Sequence, residues 1–478
     1  MRRFGGLVVN EYVKILCKTS TKVLLIAVII VALGYNALLY VGINLMSDYA
    51  TSHNYWGADD YIKQAQEEQY DGWERDVDIY TYLKENDISV DYYYINGQEA
   101  PDTWRRNAVY SLFFQKDEIK AAENEDSPNE ENIKILKKYV EDLDNALKNK
   151  DWKLYYSAEL SLVNMNIYST DDEKSDSAWH WQYLIDNEIA PDNWKYQLVR
   201  NVVGFKYDLR NLSDVTENDE RYEQKIETQN MLAIAEYRLE NDVEKYTYDG
   251  IESMMSTDVN SGLWDIFAGS TMTISIISVL IIVIAGSLLS SEFSAGTVKF
   301  LLINPVKRWK IVVAKYVSVL SITLAAVFAL YIFNMVFSGI FFGFSSFGAP
   351  FLSAENGKVI VGSSFLFVAG RYLIGSVGMI CMATFAFAIS SLVRNSALSI
   401  GLGVFLVFSG NTVVTILHVL GIYQAKYILF ANTDLLAVIN GNTGFINHTL
   451  GFALINIAVY MLVFLWTAWD GFVRNDIK

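Results

Sequence analysis

Charged residues disappear from the chain in six places, and each gap is long enough to hold a membrane-crossing helix. Val23 to Met46 gives 24 consecutive uncharged residues, Ile266 to Ser291 gives 26, and Tyr316 to Ala354 gives 39. Further gaps run from Tyr372 to Val393, Asn395 to Ala425 and Leu435 to Trp469. A helix needs about 20 apolar residues to cross the hydrocarbon core. Turn-like breaks then place six spans near 23–45, 266–289, 311–340, 370–392, 396–416 and 449–470. A basic stretch ahead of an apolar run also opens a signal peptide. The first run is long for that, and Met46-Ser47-Asp48-Tyr49-Ala50 makes a poor cleavage site.

Residues 46–263 carry a helical pattern of another kind. Ile133, Leu136, Tyr139, Val140, Leu143 and Leu147 recur at three- and four-residue intervals, with Lys and Glu between them. Ile226, Met231, Ile234, Ala235 and Leu239 behave alike. A short repeat is visible: Tyr82-Leu83-Lys84-Glu85-Asn86-Asp87-Ile88 resembles Tyr183-Leu184-Ile185-Asp186-Asn187-Glu188-Ile189. Each copy leads to Ala-Pro-Asp-x-Trp, ending at Trp104 and Trp194, and each Trp opens an apolar line: Trp104, Ala108, Leu112 and Trp194, Leu198, Val202. Two copies are too few for a solenoid, so duplicated structural helices are expected. The fold class is mainly α: a six-span helical bundle with a large, mostly helical domain inserted between spans one and two. Residues 1–22 precede the first span, and 264–478 hold spans two to six.

Charge separates these regions further. Of 54 acidic residues, 47 lie between Met46 and Leu263, against 22 of the 38 Lys and Arg. The insert is therefore net −25, which excludes nucleic acid as its natural partner, while the rest is net +9. Short loops on one side of the spans hold Arg2, Arg3, Lys14, Lys18 and Lys22; Lys299, Lys307, Arg308, Lys310 and Lys315; Arg394; and Arg474 and Lys478. The other side's short loops hold Lys358 and Lys426, with Arg371 beside a span end. The positive-inside rule puts both termini in the cytoplasm and residues 46–263 outside a plasma membrane. Cys17 and Cys381 are the two cysteines, so the insert has no disulfide framework.

No catalytic apparatus is visible. The chain lacks a phosphate loop, a Gly-x-Ser-x-Gly elbow and a His-Glu-x-x-His pair. His53, His180, His418 and His448 share no metal-ligand spacing. Asp171 to Asp176 lacks the glycine and terminal glutamate of a calcium loop and reads as a solvated acidic turn. Trp56, Trp73, Tyr92-Tyr93-Tyr94, Trp152, Trp179 and Trp181 are either core anchors or the lining of a site for an amphiphilic or cationic ligand.

The loop after span two is the most informative segment. From Glu292 a short helix is expected, with Phe293, Val298, Leu301 and Leu302 as apolar contacts and a stop at Asn304-Pro305. Its pattern of Glu292, Gly296-Thr297, Leu301-Leu302, Pro305 and the basic Arg308 resembles the permease subunits of type-2 ATP-binding cassette (ABC) exporters. That resemblance covers the residues outside the insert. It implies a coupling helix near 291–305 that docks on a separate cytoplasmic ABC ATPase, and it assigns Glu292, Gly296, Thr297, Leu301, Leu302, Pro305 and Arg308 to that contact. It also implies that ATP and Mg are bound by the partner, with no cofactor in this chain, and a second permease copy or a relative as further partner. Phe4 to Lys18 suits the family's amphipathic elbow helix on the inner surface, in contact with membrane lipids.

Between spans five and six, Thr433 and Asp434 are expected to cap a helix over Leu435 to Ile439, closed by Asn440-Gly441, which is too short to cross. Thr384 with Ala388, and Ala386 with Ser390, permit close helix contacts, either in a dimer seam or within one subunit. No ionisable group is central to a span; Asn36, Asn334, Asn411 and Asn456 are the polar interior candidates. An apolar route favours an amphiphilic or hydrophobic cargo: an antimicrobial peptide, a lipophilic drug or a lipid. The function expected is the permease of an ATP-driven exporter. Two other readings remain: a ligand-sensing subunit that signals to an ATPase without transport, and a membrane-tethered assembly or adhesion protein.

Overall fold

The computed structural model describes residues 2–52, 57–90, 94–95, 98–99, 103–124, 129–163, 171–248, 262–296, 307–393 and 395–474. It is mostly helical and divides into two compact units. One comprises residues 1–42, 262–349 and 363–478; the other comprises 43–261 and 350–362.

The first unit contains six helices long and apolar enough to cross a membrane: Thr19–Leu45, Leu263–Leu288, Arg308–Phe342, Ser364–Leu392, Ser396–Val419 and Leu450–Val473. These coincide with the six uncharged runs. The chain is a multi-pass membrane protein. Spans two and four form the centre, with 61% of each apolar window buried, whereas spans one, five and six bury 11–22%. Their outward side chains, such as Leu38, Phe405, Val419, Leu462 and Trp466, suit contact with lipid.

A fully enclosed polar network ties four spans together. Asn36 Nδ2 donates to Asn334 Oδ1 (3.2 Å), and the Ser338 hydroxyl donates to Asn36 Oδ1 (2.7 Å). Asn334 Nδ2 donates to Thr273 Oγ1 (3.3 Å) and to the Tyr372 hydroxyl (3.0 Å), which also bonds Ser270. Each such interhelical bond contributes about 0.6 kcal/mol, so the network fixes the spans' register more than it stabilises the bundle. Asn411, by contrast, is exposed. The small residues of span four pack inside the subunit: Thr384 bonds the Tyr316 hydroxyl, and Ala386 lies opposite Gly403 of span five.

The second unit has its own core. Leu83, Ala108, Leu112, Leu143, Tyr156, Leu184 and Val202 meet there. The stripe over 133–147 is buried as its spacing dictates, on helix Glu130–Asn149. Both copies of the sequence repeat adopt one turn. Asp87 and Glu188 sit in the left-handed region at φ 55° and 49°. Ile88 N donates to Leu83 O, and Ile189 N to Leu184 O, at 2.9 and 3.0 Å. The Asn86 and Asn187 amides each donate to the carbonyl four residues earlier, at 2.9 Å. This is a helix C-cap in which the apolar residue after the turn folds back on the last helical leucine.

Two expectations need correction. Asp171 to Asp176 is not a turn but the opening of helix Asp171–Asp186, where carboxylates face the positive end of the helix dipole. The insert also extends beyond residues 46–263, because the loop between spans three and four contributes a hairpin, Pro350–Glu355 and Lys358–Ser363. Asn356-Gly357 makes the two-residue turn, both at positive φ. The hairpin pairs through Thr247, whose N–H donates to Pro350 O and whose carbonyl accepts from Leu352 N, each at 2.9 Å.

Among the described residues, several insert aromatics fill the core. Trp104, Tyr155, Tyr156, Trp181 and Tyr196 form one contiguous set with centroids 5.4–6.1 Å apart. Beside it, Glu159 accepts the Tyr139 hydroxyl at 2.7 Å. Burial pushes its carboxyl up to about 7, opposed by the Tyr139 and Tyr155 hydrogen bonds. A carboxyl raised in the folded state holds its proton where the unfolded chain has lost it. Its contribution is thus complete below the ordinary carboxylate range and is lost as pH rises through 7. The unfolding midpoint of this unit should fall between pH 5 and 8, and Glu159→Gln should flatten that slope in thermal melts. A slope unchanged by Glu159→Gln would show that other groups set it.

Candidate functional site

Helix Arg2–Cys17 turns a carboxylate inward. Glu11 is 3% exposed and Ile15 fully buried, while Val9, Val13 and Leu16 face out. The corner into the first span is fixed by the Thr21 hydroxyl, which donates to Ile15 O at 2.7 Å. The second span ends because span four interrupts it: the Ser390 hydroxyl accepts both Leu289 N and Ser290 N at 3.0 Å. The backbone then restarts as the short helix Ser290–Ser294, which carries Glu292. Gly296 ends that helix at φ +69°, a conformation open to glycine and strained for other residues.

Glu11 and Glu292 converge on Lys315, the eighth residue of helix Arg308–Phe342. The ammonium donates to Glu11 Oε2 at 2.8 Å and to Glu292 Oε1 at 3.1 Å. The Lys315 side chain is 1% exposed, against 4% for Glu11 and 15% for Glu292. Lys14 stands 3.5 Å from the other Glu11 oxygen with its side chain 46% exposed, so it adds a solvated contact. Lys18 lies nearby; burial, then the Lys315 ammonium, push it below the usual lysine range. Two enclosed carboxylates around one enclosed ammonium hold each other by charge: each alone would carry a desolvation cost of several kcal/mol. The cluster therefore locks three elements together: the N-terminal helix, the segment after span two, and span three.

This placement corrects one reading: Lys315 is not a loop charge but is enclosed within a span helix. The short helix that carries Glu292 ends at Ser294, and residues 297–306 of the segment expected to follow it lie outside the described residues. The Glu292 carboxylate is directed to Lys315. Arg308 opens the third-span helix and is half-buried. Thr297, Leu301, Leu302 and Pro305 lie outside the described residues. Glu11 had a signal of its own: it is the sole acid in the first 47 residues, as Glu292 is between Asp265 and Glu355. Isolated carboxylates among basic loops mark internal pairing.

Between spans five and six, Asp434 caps Leu435–Ile439 through Ala437 N (3.1 Å), as its sequence indicates. His448 braces this segment, with Nε2 3.0 Å from Asn432 Oδ1 and Nδ1 3.1 Å from Thr443 Oγ1. Asn432 Nδ2 is already donating to two carbonyls, so His448 carries its proton on Nε2.

Residues 241–478 match the family described as "Protein of unknown function (DUF2705)". The "Uncharacterized protein YhcI" of Bacillus subtilis (strain 168) is 31% identical over 289 residues, 58% of this chain and 90% of that protein. The "Uncharacterized membrane protein YdbK" of the same organism is 29% identical over 204 residues, 42% of this chain and 78% of that protein. No solved structure matches the chain. By its match over nine-tenths of YhcI, the chain belongs to the same family as that protein, with the DUF2705 pattern in its C-terminal half.

Proposed function

We propose that the chain is the permease subunit of an ATP-driven exporter of the type-2 ABC class. It moves an amphiphilic or hydrophobic molecule, and a separate cytoplasmic ATPase supplies ATP hydrolysis with Mg. The observation that carries this reading is the enclosed Lys315 cluster. A push on the segment following Glu292 reaches the N-terminal helix and span three through one shared ammonium. In this reading both termini and this segment face the cytoplasm and residues 46–263 lie outside, which the bias of Lys and Arg among the short loops supports.

The test is ATP hydrolysis by the purified complex. Glu292→Ala leaves Lys315 its Glu11 partner, so folding survives, but the segment loses its anchor. Gly296→Pro forbids the left-handed turn that aims the chain toward residues 297–306. Both should reduce substrate-stimulated hydrolysis at least tenfold with the ATPase still bound. Normal stimulation in both variants would remove the coupling assignment.

A further inference from the structure

One groove in the second unit remains unused by the account above. It measures about 370 Å³ and is lined by Leu160, Trp179, Gln182, Tyr183, Asp186 and Asn187. Trp179 and Tyr183 are half-buried, their rings 5.2 Å apart. Gln182 Nε2 donates to Asp186 Oδ1 at 2.7 Å, and Asn187 Nδ2 donates to Tyr183 O at 2.9 Å. Each amide spends one N–H in these bonds and keeps the other, so the groove's charge comes from Asp186, whose second carboxylate oxygen faces no bond from Gln182.

A carboxylate beside π-faces selects a donor-rich cation over an anion. The helix that supplies four of these residues, 171–186, has five acids and one base. The Trp179 ring already takes an ammonium on one face: Lys206 Nζ lies 4.7 Å from its centroid and is balanced by Glu236 at 3.8 Å. We propose that this groove binds a guanidinium side chain of a cationic peptide, stacked on Trp179 and Tyr183 and hydrogen-bonded to Asp186. A peptide is one of the amphiphilic cargoes of the transport reading, but the binding requires neither ATPase nor flux and is tested without them.

The probe is amidated hexa-arginine, titrated at low salt against the full chain in phosphatidylcholine nanodiscs. Asp186→Asn and Trp179→Leu should each weaken binding about threefold or more, whereas Gln182→Glu should tighten it about threefold. Glu131→Gln removes an exposed charge elsewhere in the same unit and should change nothing. Thermal melts of each variant separate lost binding from lost folding, and the gain expected of Gln182→Glu cannot come from misfolding. Equal weakening by Glu131→Gln would mean diffuse attraction and overturn the site. Tighter binding of spermidine than of hexa-arginine would assign the groove to free polyamines. Binding of maltotriose in place of the peptide would assign it to sugars.

Discussion

Lys315→Met is expected to destabilise the membrane unit by about 3–5 kcal/mol, because it leaves two enclosed carboxylates facing each other without a cation. Glu11 and Glu292 approach within 2.8 and 3.1 Å of the same ammonium, so the loss of Lys315 removes a cation from both carboxylates at once. The same reasoning predicts rescue. Removing charge from all three positions, as Glu11→Gln, Lys315→Met and Glu292→Gln together, should recover most of the loss, since uncharged groups carry little desolvation cost. Melting of the detergent-solubilised protein, followed by size-exclusion, reads both effects. A single variant as stable as the parent would show the cluster to be solvated. A triple variant as weak as the single would show that Lys315 packs rather than pairs.

The second large effect is expected at Gly378, on the face of span four that meets the segment between spans five and six. A Cβ there would stand 2.0 Å from the Thr433 carbonyl oxygen and 3.0 Å from its carbon. The obstacle is backbone, held by the adjoining turns, so it cannot swing aside as a side chain would. Gly378→Ala should cost upwards of about 1–3 kcal/mol through overpacking. Gly401, in span five, has nothing within 4 Å of a built Cβ. Gly401→Ala should be neutral or gain up to about 1 kcal/mol from helix propensity. Equal melting temperatures for the two variants would show that the span-four contact is loose.

Much of this architecture was legible in residue order, for a physical reason. A span must be continuous in sequence, and a buried helix face must repeat at three and four residues; both patterns are local. The repeat at Tyr82 and Tyr183 was also local, and its shared turn followed. What escaped depended on distance along the chain. The hairpin at 350–362 joins residues 43–261 across more than a hundred positions, and its Asn356-Gly357 turn was the cue passed over. A count of loop charges weighs sign and not enclosure; Glu11, 304 residues away, and Glu292 together explain the burial of Lys315. Gly296 fits the family pattern, and its positive φ, which residue order does not display, ends the short helix that carries Glu292.

We propose export of an amphiphile by this chain at the expense of ATP hydrolysed by a partner. It is tested most directly in inverted membrane vesicles containing the permease and its ATPase, with a fluorescent cationic amphiphilic peptide outside and ATP added. The account predicts uptake that requires ATP, is lost when the phosphate-loop lysine of the ATPase is replaced, and is lost with Gly296→Pro in this chain. Peptide-stimulated ATP hydrolysis without uptake would contradict transport and leave a sensor, and ATP-driven sodium movement in place of peptide would contradict the cargo.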